Sequence, residues 1–254
     1  RDNSEEVVGA VAVFSDVTEI RQYEERMKEQ DKLAVIGQMA AGMAHELRNP
    51  LTSVRGFIQL LHDKMLKDDK TREYFEVIVQ EIDRTNEIIN DFLILAKPKP
   101  PSLSLQPLNA LVEDLLPFFE SQCLMYNIKI TKDLSPVLPL AVLDTGQIKQ
   151  VLLNLVQNAI QAMESKGFGE LTLSTRYKQE EGILVLGISD TGEGIDKNDI
   201  SKLGNPFFTT KDHGTGLGLS VSYKIIEVHR GKIKVESEPG KGTKFELHFP
   251  VDYF

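Results

Sequence analysis

Lys97-Pro98-Lys99-Pro100-Pro101 divides this 254-residue chain into two halves of different periodicity. Proline has no N–H for a helical ladder and its ring fixes φ, so this run ends the helix before it and leaves a stiff connector. On its N-terminal side, Phe75, Ile78, Ile82, Thr85, Ile89, Phe92 and Ala96 recur in steps of three and four. Leu33, Ile36, Ala40, Met43, Leu47, Leu51, Val54, Ile58, Leu61 and Met65 do the same, which is the seam of a helix packed against others. The polar Lys67-Asp68-Asp69-Lys70 turn between them predicts an antiparallel hairpin, with its first helix running from about Thr18 to Met65. One hairpin with a single seam per helix stays partly wet. Two copies close a four-helix bundle, so a homodimer is expected.

Beyond the prolines the pattern mixes strands with helices. Ile128–Thr131, Leu171–Tyr177, Ile183–Ser189, Lys232–Ser237 and Thr243–Phe249 read as strands. Leu108–Phe119, Thr145–Met163 and Gly218–Val228 read as helices. Strand and helix do not alternate strictly, which favours an α/β sandwich on a mixed or largely antiparallel sheet over a doubly wound one. Near the start, Val7–Phe14 reads as a short buried strand that leaves through Asp16-Val17-Thr18-Glu19 into the long helix. The fold class is therefore α followed by α+β.

A net charge of −9 argues against a nucleic-acid role, because phosphate backbones need a basic surface. The single Cys123 excludes an internal disulfide framework and fits a reducing, cytoplasmic compartment. No apolar run reaches the length of a membrane span, and nothing resembles a signal peptide. The chain begins at Arg1, so it reads as a fragment. A membrane anchor, if there is one, is expected upstream of it.

In Met43-Ala44-His45-Glu46-Leu47-Arg48-Asn49-Pro50-Leu51, His45 is two positions from both Met43 and Leu47. That places it about 200° from the seam and facing outward. Glu46 can hold or deprotonate the ring, leaving one nitrogen free to attack. Pro50 predicts a kink one turn later. A zinc-protease HExxH reading fails because Asn49 stands where the second histidine belongs. His62, His213, His229 and His248 show no metal spacing and read as surface or structural residues.

The second chemical signature lies more than a hundred residues later. Asp144 and Gln147 look like a capping box opening the Thr145–Met163 helix. On that helix Asn154, Asn158 and Gln161 form one stripe, opposite Ile148, Leu152, Leu155 and Ala159. An amide oxygen there can ligate Mg²⁺, with water and phosphate filling the other positions. The apolar Ile183–Ser189 strand delivers Asp190, followed by Thr191-Gly192-Glu193-Gly194. A carboxylate at that place accepts from the adenine amino group and repels a guanine oxygen. Phe207-Phe208-Thr209-Thr210-Lys211 reads as the latch of a lid, with Lys211 as an added cation. Gly214-Thr215-Gly216-Leu217-Gly218 opens a helix whose N–H groups can meet phosphates. It is neither a Walker A loop nor a dinucleotide GxGxxG, and Gly240-Lys241-Gly242-Thr243 reads as a hairpin turn.

Together these stretches resemble the sensor histidine kinases of two-component systems over residues 20–250. His45–Leu51 resembles their H box and Asn154–Ala159 their N box. Asp190–Gly194 resembles G1, Phe207–Lys211 the F box, and Gly214–Leu219 G2. The HELRNP form, entered from a PAS-like closing strand, is similar to the sporulation kinases of endospore-forming bacteria. The resemblance implies the end of a sensor domain at 1–19, a dimerisation and phosphotransfer domain at 20–97, a linker at 98–107, and a GHKL (Bergerat) ATPase domain at 108–254. It implies ATP and Mg²⁺ as cofactors, with His45 phosphorylated, Glu46 its acid–base partner, Asn158 the metal ligand and Asp190 the adenine reader. Asn49 matches the position that orients water for dephosphorylation of a response regulator. A receiver domain is the implied acceptor, and a small inhibitory protein binding the helical hairpin is a further expected partner.

Overall fold

The computed structural model describes residues 51–56, 58, 69–96, 100–211 and 214–251. The segment with His45, Glu46, Asn49 and Pro50, expected to accept the phosphoryl group, and the expected Val7–Phe14 strand lie outside the described residues. Helix α1 is represented by residues 51–56 and 58, and helix α2 runs Asp69–Ala96. Ile58 and Ile82 are buried, and Arg55 pairs with Asp83 at 3.0 Å. The two expected hairpin helices therefore face each other. Among the described residues no helix is long and apolar enough to cross a membrane.

The C-terminal half is a sheet under helices. Strand β1 (Ser104–Gln106) pairs antiparallel with β3 (Ala141–Leu143). The main sheet has the order β2-β4-β5-β7-β6, from β2 (Ile128–Leu134), β4 (Gly169–Lys178), β5 (Ile183–Asp190), β7 (Gly242–Pro250) and β6 (Lys232–Glu238). Only β2 runs parallel to its neighbour, β4; the other pairings are antiparallel, as a mixed sheet requires. Helices α3 (Leu108–Met125), α4 (Thr145–Glu164) and α6 (Gly218–Val228) cover the sheet, and a short α5 spans Lys197–Ile200.

Period-two alternation decides which face of the sheet they cover. Leu171 and Leu173 of β4, Leu184, Leu186 and Ile188 of β5, and Phe245, Leu247 and Phe249 of β7 join one core with Ile148, Leu152, Leu155 and Ala159 of α4. Each fully buried leucine contributes about 1.5–3 kcal/mol relative to exposure. The same alternation carries Asp190 onto the core side at the end of β5. A polar residue at the mouth of an apolar core is how the site begins.

Candidate nucleotide site

The site is assembled at the ends of α4, β5 and α6. The expected capping box of α4 is only half formed. Asp144 Oδ1 accepts from Gln147 N at 3.0 Å, but Gln147 Oε1 is buried without a partner. The return bond is lost because the N–H of Asp144, which the glutamine would have taken, donates to His229 Nε2 at 2.9 Å. His229 Nδ1 in turn meets the carbonyl of Ile225 at 2.7 Å, so this buried ring is structural. Asp144 Oδ2 accepts from Ser102 N at 2.7 Å. Burial alone would raise the Asp144 pKa; N–H donors from Gln147, Ser102 and Gly146, with His229 nearby, outweigh it and hold the carboxyl below its ordinary value.

One turn-spaced amide stripe leaves α4 toward the cleft. Asn154 Nδ2 donates to Ser222 Oγ at 2.8 Å, and Asn158 Nδ2 donates to Asn154 Oδ1 at 3.3 Å. Gly218, the first residue of α6, packs directly on Asn154, and any Cβ there would strike the amide oxygen. The G2 glycines and the N-box amides are therefore held together. Gly216 takes φ +67 and lies on the backbone of Phe207, whose N–H donates to its carbonyl at 2.9 Å. Thr215 Oγ1 accepts from the N–H of Leu217, which is buried.

The F-box residues line the other wall. Phe207 is exposed, and Phe208 lies under the Lys202 ammonium at 5.5 Å. Thr209 Oγ1 accepts from Lys211 N at 3.1 Å, Thr210 is exposed, and Gly214 N donates to the Lys211 carbonyl. Much of Lys211 is exposed, yet its ammonium turns inward to donate to Asn158 Oδ1 at 3.0 Å and Gln161 Oε1 at 2.6 Å. That burial pushes its pKa down, against the opposing attraction of Asp190.

Asp190 is 7% exposed. Its Oδ1 accepts from Gly192 N at 2.8 Å and Thr243 N at 3.2 Å, which leaves Oδ2 with accepting capacity for another donor. Burial raises its pKa above the ordinary carboxylate value, while those two N–H groups, Lys166 and Lys211 pull the other way. Gly192 lies on Ala162 of α4 and Gly194 on Glu238, so the turn after Asp190 threads between helix and sheet. The sequence reading missed two contributors: Lys166, which bonds this turn, and Thr243, which donates to Asp190. Neither carries a motif; Lys166 is a charged residue past a helix end, and Thr243 acts through its backbone. Among the described residues no cluster of three or more His, Cys, Asp or Glu side chains could hold a metal. Asn158 Oδ1 nevertheless faces a cation already, the Lys211 ammonium, and a neutral oxygen so placed fits Mg²⁺.

The fold and the cleft define an ATPase module of the GHKL type joined to a helical hairpin. Residues 143–253 match the family of histidine kinase-, DNA gyrase B- and HSP90-like ATPases, and residues 35–101 match the His Kinase A phospho-acceptor domain. The chain belongs to the sensor histidine kinase family. It is 41% identical over 241 residues to sporulation kinase E of Bacillus subtilis, spanning 95% of this chain and 32% of that one. It is 37% identical to the signal transduction histidine-protein kinase AtoS of Escherichia coli, over 97% of this chain and 40% of that one. Among solved structures, the histidine kinase ThkA in complex with the response regulator TrrA superposes with a TM-score of 0.64 at 31% identity, over 94% of this chain and 68% of that one. Full-length ShkA in complex with AMPPNP gives a TM-score of 0.74 at 26% identity, over 84% and 45%. The chain thus spans about a third of the first of these relatives and two fifths of the second.

Proposed function

We propose that the protein is an ATP-dependent histidine kinase that phosphorylates its own His45 and passes the phosphoryl group to an aspartate of a response-regulator receiver domain. The observation that carries this reading is one chain of contacts: Gly218 packs on Asn154, Asn158 bonds both Asn154 and Lys211, and the Lys211 charge reaches Asp190. Asp190 Oδ2 accepts the adenine amino group. The N–H groups opening α6 meet the phosphates, and the helix dipole assists them. Asn158 holds Mg²⁺, which supplies charge neutralisation at the phosphates.

A ring nitrogen of His45 attacks the γ-phosphorus, an N–P bond forms, the β–γ bridging P–O bond breaks and ADP leaves. Glu46 holds the ring and takes its proton, so the second nitrogen stays nucleophilic. Positioning and charge neutralisation account for most of the rate in such transfers. The Pro98–Pro101 hinge lets the ATPase domain swing to His45. In reverse traffic Asn49 orients water against the phosphorylated regulator. Pairing of two hairpins into a four-helix bundle makes the active form a homodimer, and a small inhibitory protein has that bundle as its docking face.

His45→Gln tests the reading. It abolishes acid-labile labelling from γ-labelled ATP and leaves nucleotide binding within about twofold. Labelling that persists in this variant rejects His45 as the acceptor.

A further inference from the structure

Lys166 stands just beyond the C-terminus of α4, between the Asn154–Ala159 and Asp190–Gly194 motifs and part of neither. Its ammonium donates to the carbonyls of Thr191 and Gly192, both at 2.8 Å, and reaches that of Gly240 at 3.5 Å. An ammonium has three hydrogens, and all three are directed at backbone oxygens of two turns. Those turns flank Asp190: one follows it in sequence, and the other joins β6 to β7, whose Thr243 N–H bonds the Asp190 carboxylate. The turns are also tied to each other, since Gly240 N donates to Glu193 O at 2.6 Å. α4 fixes the same turn twice more, through Glu193 N to Ala162 O at 3.0 Å and Ser165 Oγ to Glu193 Oε1 at 2.5 Å.

We propose that Lys166 is a positioning residue that sets base specificity, its ammonium fixing the Thr191–Gly192 turn so that the Asp190 carboxylate is presented to an exocyclic amino group and not to a carbonyl. The proposal rests on the reading of Asp190 as the adenine acceptor. An ionised carboxylate accepts from the amino group of adenine and repels the O6 of guanine. A carboxylic acid can instead donate to O6, so discrimination demands an ionised group in a fixed direction.

Lys166 serves both demands. Burial favours the neutral acid at Asp190, and the positive charges of Lys166 and Lys211 oppose it. Other charged groups around the site are already engaged. Glu193 is bonded to Ser165, Glu170 to Lys129, Lys241 to Glu238 and Lys244 to Glu246. Lys211 is spread between Asn158 and Gln161.

The test is competition of ATP and GTP for a fluorescent ATP analogue on the full chain, between pH 5 and 8, in wild type, Lys166→Met, Lys166→Gln, Lys166→Arg and Asp190→Asn. Lys166→Met lowers the ATP-to-GTP affinity ratio about tenfold, the size of one lost charge-assisted contact. Its ATP affinity also begins to fall at a higher pH on acidification than that of wild type. Lys166→Arg restores both the ratio and the pH profile. Lys166→Gln, which keeps amide donors for the carbonyls, gives a readout if the methionine variant is unfolded by circular dichroism; its neutral side chain still moves the pH profile.

A wild-type ratio and profile in the folded methionine or glutamine variant overturns the proposal. An arginine variant no better than the methionine one does so too. Asp190→Asn separates the layers. If it collapses the ratio while the Lys166 variants do not, only Lys166 loses its role. If it leaves the ratio unchanged, the adenine reading of Asp190 falls first.

Discussion

In α4 of the ATPase half, Ile148, Leu152 and Leu155 have no exposed surface, whereas in α2 Val77 is 55% and Ile78 42% exposed although Ile82, one turn on, is only 6% exposed. Both helices carry amphipathic sequence, so composition does not separate them. What differs is the opposing surface. α4 lies on a sheet whose strands present Leu173, Leu186 and Leu247 to it, and the core closes within one chain. α2 has α1 on one side and meets the ATPase half, among the described residues, through Ile94, Leu95 and a 3.5 Å bond from Gln150 to Asp91. The ATPase half closes most of its core by itself, and the hairpin leaves Ile78 of its seam exposed.

The largest expected effect breaks the closed half. Leu155→Ala removes a fully enclosed side chain between α4 and the sheet and lowers unfolding free energy by about 2–5 kcal/mol. Urea denaturation followed by circular dichroism checks it. A loss below about 1 kcal/mol would mean that this core is not close-packed.

Ile78→Ala probes the open half. The side chain is already 42% exposed in the single chain, so the ATPase transition moves by less than about 0.5 kcal/mol. Self-association weakens about tenfold, roughly 1.4 kcal/mol, if a second hairpin covers the seam. Sedimentation at several concentrations measures this, and an unchanged dimer fraction breaks the contrast between the halves.

The same contrast explains what was legible from sequence. The faces of α4, β4, β5 and β7 follow local periodicity, and Asp190 was placed because a strand of apolar residues ended on an acid. The five main-sheet strands and three long helices were recognisable for that reason. β1 and β3 were not: each has three residues, and their pairing joins Gln106 to Ala141 across the whole of α3 and β2 with no local signal. That pairing draws Ser104–Gln106 out of the expected connector and onto the ATPase half. The parallel β2–β4 register was equally hidden, since strand direction belongs to topology and not to composition. In the site, motif residues were visible one by one. Their partners were not, because Lys211 on Asn158 and Lys166 on the Asp190 turn are contacts between segments far apart in sequence.

A third test acts where the halves meet. Asp144 bonds the connector through Ser102 and caps α4 through Gln147. Asp144→Ala leaves both N–H groups without that acceptor and costs about 1 kcal/mol, within the range for a lost cap. Asp144→Asn keeps one oxygen and recovers part of the loss. Equal stability of the aspartate and alanine forms in urea titrations would show that water replaces the cap, and that α4 needs no anchor at the connector.

The smallest effect concerns the face of β7 that carries Lys244, Glu246 and His248, of which Lys244 is the most exposed. Glu246 on β7 pairs with Lys244 at 2.6 Å and with His248 at 3.0 Å, and hydrogen bonds from these two hold its carboxyl down at about 2, against an ordinary value of 4.5. A depressed carboxylate stabilises the fold fully above the ordinary value and ceases to as pH falls from 4.5 toward 2. Taken alone, that depression implies a few kcal/mol. Lys244 is 42% exposed, however, and water and salt screen the pair, so a contribution of no more than about 1 kcal/mol is expected. Glu246→Gln is therefore slightly less stable than the parent at pH 6 and low salt, and the gap narrows as pH approaches 2. A gap that stays constant through that window assigns the effect to packing of the side chain on β7, because only the ionised form can lose its advantage on protonation.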